Sequence, residues 1–126
     1  MKILLLEDDP IVQRVTQYLL NKLGHTLDVT NRGLQAIEMA RNNPDYNFIF
    51  VDLGLPDISG FEVIKALRAL YGPARKTNIV VLTGYVGKSE IIACEEAGAD
   101  HIMYKPIELE AIKKFLAENY VNIEAK

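Results

Sequence analysis

Hydrophobic and polar positions alternate along this chain in blocks. A short continuous apolar run is followed by an amphipathic stretch, and the pair recurs. Lys2 to Leu6 (KILLL), Phe48 to Val51 (FIFV) and Asn78 to Leu82 (NIVVL) read as strands buried on both faces. His25 to Val29 (HTLDV) is more polar and suits a sheet edge, and His101 to Tyr104 is the remaining strand. Between them lie predicted helices. The first has an apolar face of Ile11, Val12, Val15, Leu19 and Leu23. The second runs Asn31 to Arg41 with Ile37 and Ala40 inward, and the third from Ser59 to about Leu70 on Phe61, Ile64 and Leu67. A short helix at Ser89 to Ala97 follows, then a last one striped by Leu109, Ile112, Leu116 and Tyr120.

The punctuation agrees with these blocks. Asp9 before Pro10 predicts an N-cap with proline at the first helical position. Gly24 and Gly98 stand where helices end, and Asn42 to Pro44 and Gly72–Pro73 break the pattern. Ser59 and Glu62 have capping-box spacing. Five βα units in a row with short loops predict an α/β fold, a parallel sheet covered by helices on both faces. One domain spans residues 1–126 in this reading.

Composition narrows the function. Net charge is −3 with a pI near 5.4, so the chain has no basic footprint for nucleic acid. The only cysteine, Cys94, excludes a disulfide framework and a thiolate metal site and is expected to be a small buried residue. No apolar run approaches the ~20 residues of a membrane span, and no signal peptide is visible. A cytoplasmic protein, with no membrane or direct nucleic-acid contact, is the expectation.

Sites in such sheets lie beyond the carboxyl ends of the strands. Those ends carry Glu7 and Asp8, then Asp52, Thr83 and Lys105. Asp52 is the centre of the reading, in the stretch Phe48 to Gly60 (FIFVDLGLPDISG), where a buried strand turns through Gly54, Pro56 and Asp57 towards a helix. Carboxylates about 4 Å apart repel by roughly 4 kcal/mol at an effective dielectric near 20, which a divalent cation offsets. Oxygen-only ligands select a hard ion such as Mg²⁺. Asp8 and Asp52 are expected as direct ligands, Glu7 through water, and Asp9 as a cap. The ion would let an anionic phosphoryl donor approach Asp52. Lys105, Thr83 and backbone N–H groups near Leu53 and Gly84 would hold phosphoryl oxygens.

LLLEDDP at Leu4 to Pro10, VDLGLPDISG at Val51 to Gly60, VLTG at Val81 to Gly84 and the GAD…KP segment from Gly98 to Pro106 carry a family likeness. Over essentially its whole length the chain resembles the receiver domain of two-component response regulators. The resemblance implies a flavodoxin-like three-layer sandwich, its five-stranded sheet in the order 2-1-3-4-5. It implies Asp52 as phosphoacceptor, Glu7 and Asp8 as the acidic pocket, and the Gly54 carbonyl as a further Mg²⁺ ligand. It makes Thr83 the switch hydroxyl and Lys105 the phosphate-binding lysine, with a cis Lys105–Pro106 bond. The family's switch aromatic falls at position 102, where this chain has Ile102. Tyr104, two residues on and on the same strand face, is a substitute aromatic. Gly54 and Tyr85 stand where the family tunes acyl-phosphate hydrolysis.

The implied function is a signalling module, not an enzyme with turnover on other molecules. It takes a phosphoryl group from a histidine kinase or histidine phosphotransfer protein docked on the first helix and the crevice loops. It would dephosphorylate itself slowly and reach an effector through the face formed by the fourth helix, fifth strand and fifth helix. The alternative is a Mg²⁺-dependent aspartyl-phosphate phosphatase of small molecules, although no cap insertion and no DxD second aspartate are present. A flavin or nucleotide protein of the same fold would need a phosphate-cradling loop where Glu7, Asp8, Asp9 and Pro10 stand.

Overall fold

The computed structural model describes residues 1–43, 45–55, 57–71, 77–84 and 87–124, with side chains through residue 119. The readings placed on Pro44, Pro56, Gly72, Pro73, Tyr85 and the Tyr120 side chain lie outside the described residues. Strands and helices alternate as the hydrophobic blocks predict. They are β1 (Lys2–Leu6), α1 (Pro10–Lys22), β2 (Thr26–Thr30), α2 (Gly33–Asn42), β3 (Phe48–Asp52), α3 (Gly60–Tyr71), β4 (Asn78–Thr83), α4 (Lys88–Ala97), β5 (His101–Tyr104) and α5 (Leu109–Glu124). The five strands are parallel and run in the order β2-β1-β3-β4-β5. This is the flavodoxin-like three-layer arrangement, with the more polar β2 at one edge.

Alternation within the inner strands divides the core in two. Leu4, Leu6, Ile49, Val51, Ile79 and Val81 face α2, α3 and α4, packing against Ala36, Ala40, Val63, Ile64, Leu67 and Cys94. Ile3, Leu5, Phe48, Phe50, Val80 and Leu82 face the other way, onto Leu20 of α1 and Ile112 and Leu116 of α5. The free thiol of Cys94 is fully buried, as its small apolar role predicts.

The helix ends follow their capping chemistry. Asp9 Oδ1 accepts the N–H groups of Ile11 and Val12 at 2.8 and 3.3 Å, with Pro10 opening α1. Gly24 and Gly98 take positive φ, 89° and 117°, after α1 and α4. Ser59 Oγ accepts the Glu62 N–H at 3.2 Å before α3.

One face differs from the sequence reading. Ile11 and Val15, expected inward, are 74% and 48% exposed. The buried residues of α1 are Thr16 and Leu20, so the helix is turned towards the stripe Val12, Thr16, Leu19, Leu20 and Leu23. Threonine packs here as a small β-branched residue, and a count of purely apolar types places the stripe too far round.

Candidate functional site

The topology brings the carboxyl ends of β1, β3, β4 and β5 to one edge of the sheet. Asp52 is the last residue of β3, paired with Leu82 of β4, and Thr83 is the next residue of β4 and its last. Thr83 pairs in turn with Tyr104, and the Lys105 N–H donates to the Thr83 carbonyl at 2.6 Å. Glu7 follows directly on β1, and its N–H donates to the Thr30 carbonyl at 3.1 Å.

Asp52 is held by several donors at once. Its Oδ1 accepts the Gly54 N–H at 3.2 Å and the Lys105 ammonium at 3.3 Å, and its Oδ2 accepts the Asp8 N–H at 3.3 Å. Lys105 bridges to Glu7 as well, with Nζ 2.8 Å from Glu7 Oε1. The other Glu7 oxygen accepts the Asp9 N–H at 3.0 Å, and Gln13 Nε2 donates to the Glu7 carbonyl at 3.2 Å. Glu7 has no exposed surface and Asp52 very little. The chain thus folds two acids inward around one ammonium. The Lys105–Pro106 bond is cis, as the resemblance implied.

Electrostatics separates the two acids. Burial pushes the Glu7 carboxyl above its ordinary value of 4.5; Lys105 counteracts this, while Asp52 adds to the rise. Burial also acts upward on Asp52, but the neighbouring Glu7 carboxyl, the Gly54 and Asp8 N–H groups and Lys105 outweigh it, so Asp52 lies below the usual range. Burial acts downward on Lys105, yet its two carboxylate partners hold it above its ordinary range. Asp52 is therefore an anion with oriented oxygens at neutral pH, the state a nucleophile needs.

The donor chemistry around Asp52 fits a hard divalent cation. Glu7, Asp8, Asp52 and the Gly54 carbonyl offer only oxygen, and the Glu7 and Asp52 carboxylates face a single ammonium. Among the described residues, no three His, Cys, Asp or Glu side chains are already gathered to hold a metal. Lys105 occupies the cationic position between Glu7 and Asp52, and Asp8 joins through its backbone, with an exposed side chain.

The sequence reading missed the tight junction behind Asp52. A Cβ on Gly60 would stand 2.8 Å from the Cα and from Cδ2 of Leu53, and 3.2 Å from the Asp52 carbonyl oxygen. Only glycine lets α3 start so near the Asp52 turn. Asp57, read as a turn residue, reaches across to the N–H groups of Gly33 and Leu34. Ile102 is partly buried, packed against the core on the α4 side, while Tyr104 is half exposed at the end of β5.

The family model described as the response regulator receiver domain matches residues 3–117. The chain belongs to the receiver domain family of two-component signalling. The sensory/regulatory protein RpfC of Xanthomonas campestris pv. campestris is 35% identical over 108 residues, which are 85% of this chain and 15% of that protein. The cell cycle response regulator CtrA of Brucella ovis is 34% identical over 106 residues, 84% of this chain and 44% of CtrA. The chain thus spans less than half the length of these curated relatives. Among solved structures, a two-component response regulator from Clostridium difficile superposes with a TM-score of 0.88 at 23% identity, covering 98% of both chains. The receiver domain of the sensor histidine kinase PA1611 from Pseudomonas aeruginosa, with magnesium coordinated in its active site cleft, gives 0.83 at 28% identity, over 93% of this chain and 94% of that one. Among the described residues of this receiver, no helix is long and apolar enough to cross a membrane.

Proposed function

We propose that residues 1–126 work as one receiver domain that accepts a phosphoryl group on Asp52. The observation that carries this is the Asp52 carboxylate itself, ionised and held by Lys105 and two backbone N–H groups. One Asp52 oxygen attacks the phosphorus of a phosphohistidine. The O–P bond forms as the N–P bond breaks, and the departing imidazole takes up a proton. Mg²⁺ would be held by Asp8, Asp52 and the Gly54 carbonyl, with Glu7 through water; when bound it supplies positive charge to the phosphoryl oxygens and cancels that of the acids. Lys105 shifts from Asp52 to a phosphoryl oxygen, and the Thr83 hydroxyl serves another. Water then removes the group slowly, and turnover on other molecules is not part of the function.

Receiver domains interact with histidine kinases or histidine phosphotransfer proteins, and the exposed Ile11, Val15 and Tyr18 on α1 offer such a partner an apolar stripe beside the crevice. Output runs through the α4-β5-α5 face, where Ile92 and Tyr104 are exposed. Ile102, partly buried against the core, stands in place of the family's switch aromatic, so Tyr104 is the ring available at that face. The cytoplasm is the matching compartment. Acetyl phosphate with Mg²⁺ tests the reading on a phosphate-affinity gel. One shifted band that vanishes in Asp52→Ala is expected; a band that persists in that variant would defeat the assignment.

A further inference from the structure

Helix α2 has no local cap, since Arg32 before it makes no side-chain capping hydrogen bond. Its cap comes from the loop that follows Asp52. Asp57 Oδ1 accepts the Gly33 N–H at 2.9 Å and Oδ2 accepts the Leu34 N–H at 2.9 Å. Both oxygens are thus committed to the positive end of a helix, where a carboxylate is favoured. The junction is close-packed as well. A Cβ on Gly33 would lie 2.8 Å from Ile58 Cγ1, 2.8 Å from Val63 Cγ2 and 3.4 Å from Asp57 Oδ1. Asp57 stands three residues after Gly54, whose N–H already grips Asp52 Oδ1 at 3.2 Å. The far end of the same loop is fixed by Gly60 against Leu53.

Building on the receiver reading, we infer that Asp57 is a positioning residue that ties the Asp52–Gly54 turn to the start of α2 and so sets the geometry in which this turn meets Mg²⁺. Asp57 touches neither the ion nor the phosphoryl group. It acts by tying the segment after Asp52 to the start of α2, so that Asp52 and the Gly54 carbonyl meet the ion already oriented. Groups bonded directly to metal ligands commonly carry about 10–100-fold in affinity, and Asp57, one step further out, is expected at or below the lower end.

Mg²⁺ alone is the probe, titrated by calorimetry into the full chain and its variants. Asp57→Ala should weaken Mg²⁺ binding several-fold, up to about tenfold. Its acetyl phosphate labelling should slow at limiting Mg²⁺ and recover at saturating Mg²⁺. Asp57→Asn, which keeps one acceptor oxygen, should restore most of the affinity. Ser59→Ala removes the neighbouring α3 cap and should lower stability without moving Mg²⁺ affinity. Should Asp57→Ala fail to fold, Gly33→Ala crowds the same junction and is read in the same way. A wild-type Mg²⁺ affinity in the Asp57 variant overturns this inference alone, as does equal weakening by Ser59→Ala. A wild-type chain that binds no Mg²⁺ and takes no label overturns the receiver chemistry and this inference together.

Discussion

Glu7 is a buried acid whose partner ammonium is shared with Asp52. Its folded value lies above 4.5, so the native state binds more protons than the unfolded chain in the interval between the two values. The Glu7 contribution to stability without metal is therefore lost as pH rises from about 4.5 through that folded value. Asp52, held below its ordinary 3.8, acts in the opposite sense: its contribution is present above that pH and lost as acid protonates it. Glu7→Gln should flatten the decline above pH 4.5, measured as urea midpoints in chelator across pH. An unchanged slope would show that Glu7 is not its source. Lys105→Ala leaves two facing acids without their cation, so its midpoint should drop in chelator and recover with Mg²⁺. Loss of Mg²⁺ affinity in that variant would mean the lysine has been misread. Gly60→Ala forces a methyl against the Leu53 backbone and should cost about 1–3 kcal/mol; a wild-type midpoint would contradict the close approach.

At the scale of elements, the inner strands were legible because continuous apolar runs have few other places to go. The correction in α1 has a physical cause. Thr16 is polar by type and buried in fact, while Ile11, Val15 and Tyr18 face solvent. Two tests separate the faces. Leu20→Ala should cost about 2–5 kcal/mol, as a fully buried leucine does. Val15→Ala should leave the urea midpoint near wild type yet slow phosphoryl transfer from a phosphohistidine protein, with acetyl phosphate labelling unchanged. Equal slowing with both donors would remove α1 from the docking face. The cap of α2 was not legible, because Asp57 and Gly33 lie 24 positions apart and no local pattern links them.

The whole molecule makes the site by topology. With β1 and β3 adjacent at the centre and β4 and β5 beyond, one edge of the sheet gathers residues from four loops. That gathering was readable from strand order and the residues at strand ends: Glu7, Asp52 and Lys105 meet within 3.3 Å contacts. What the sequence did not reveal was the partner of Asp52 in this structure, since Lys105 lies between the two acids and pairs with both. The fold thus presents the Asp52 carboxylate with both oxygens held by donors. The most direct measurement is borohydride reduction of the chain after acetyl phosphate and Mg²⁺, followed by peptide mapping. A reduced acyl phosphate at residue 52, dependent on Mg²⁺, is the predicted result. Reduction at another residue, or none at 52 under labelling conditions, would contradict the account.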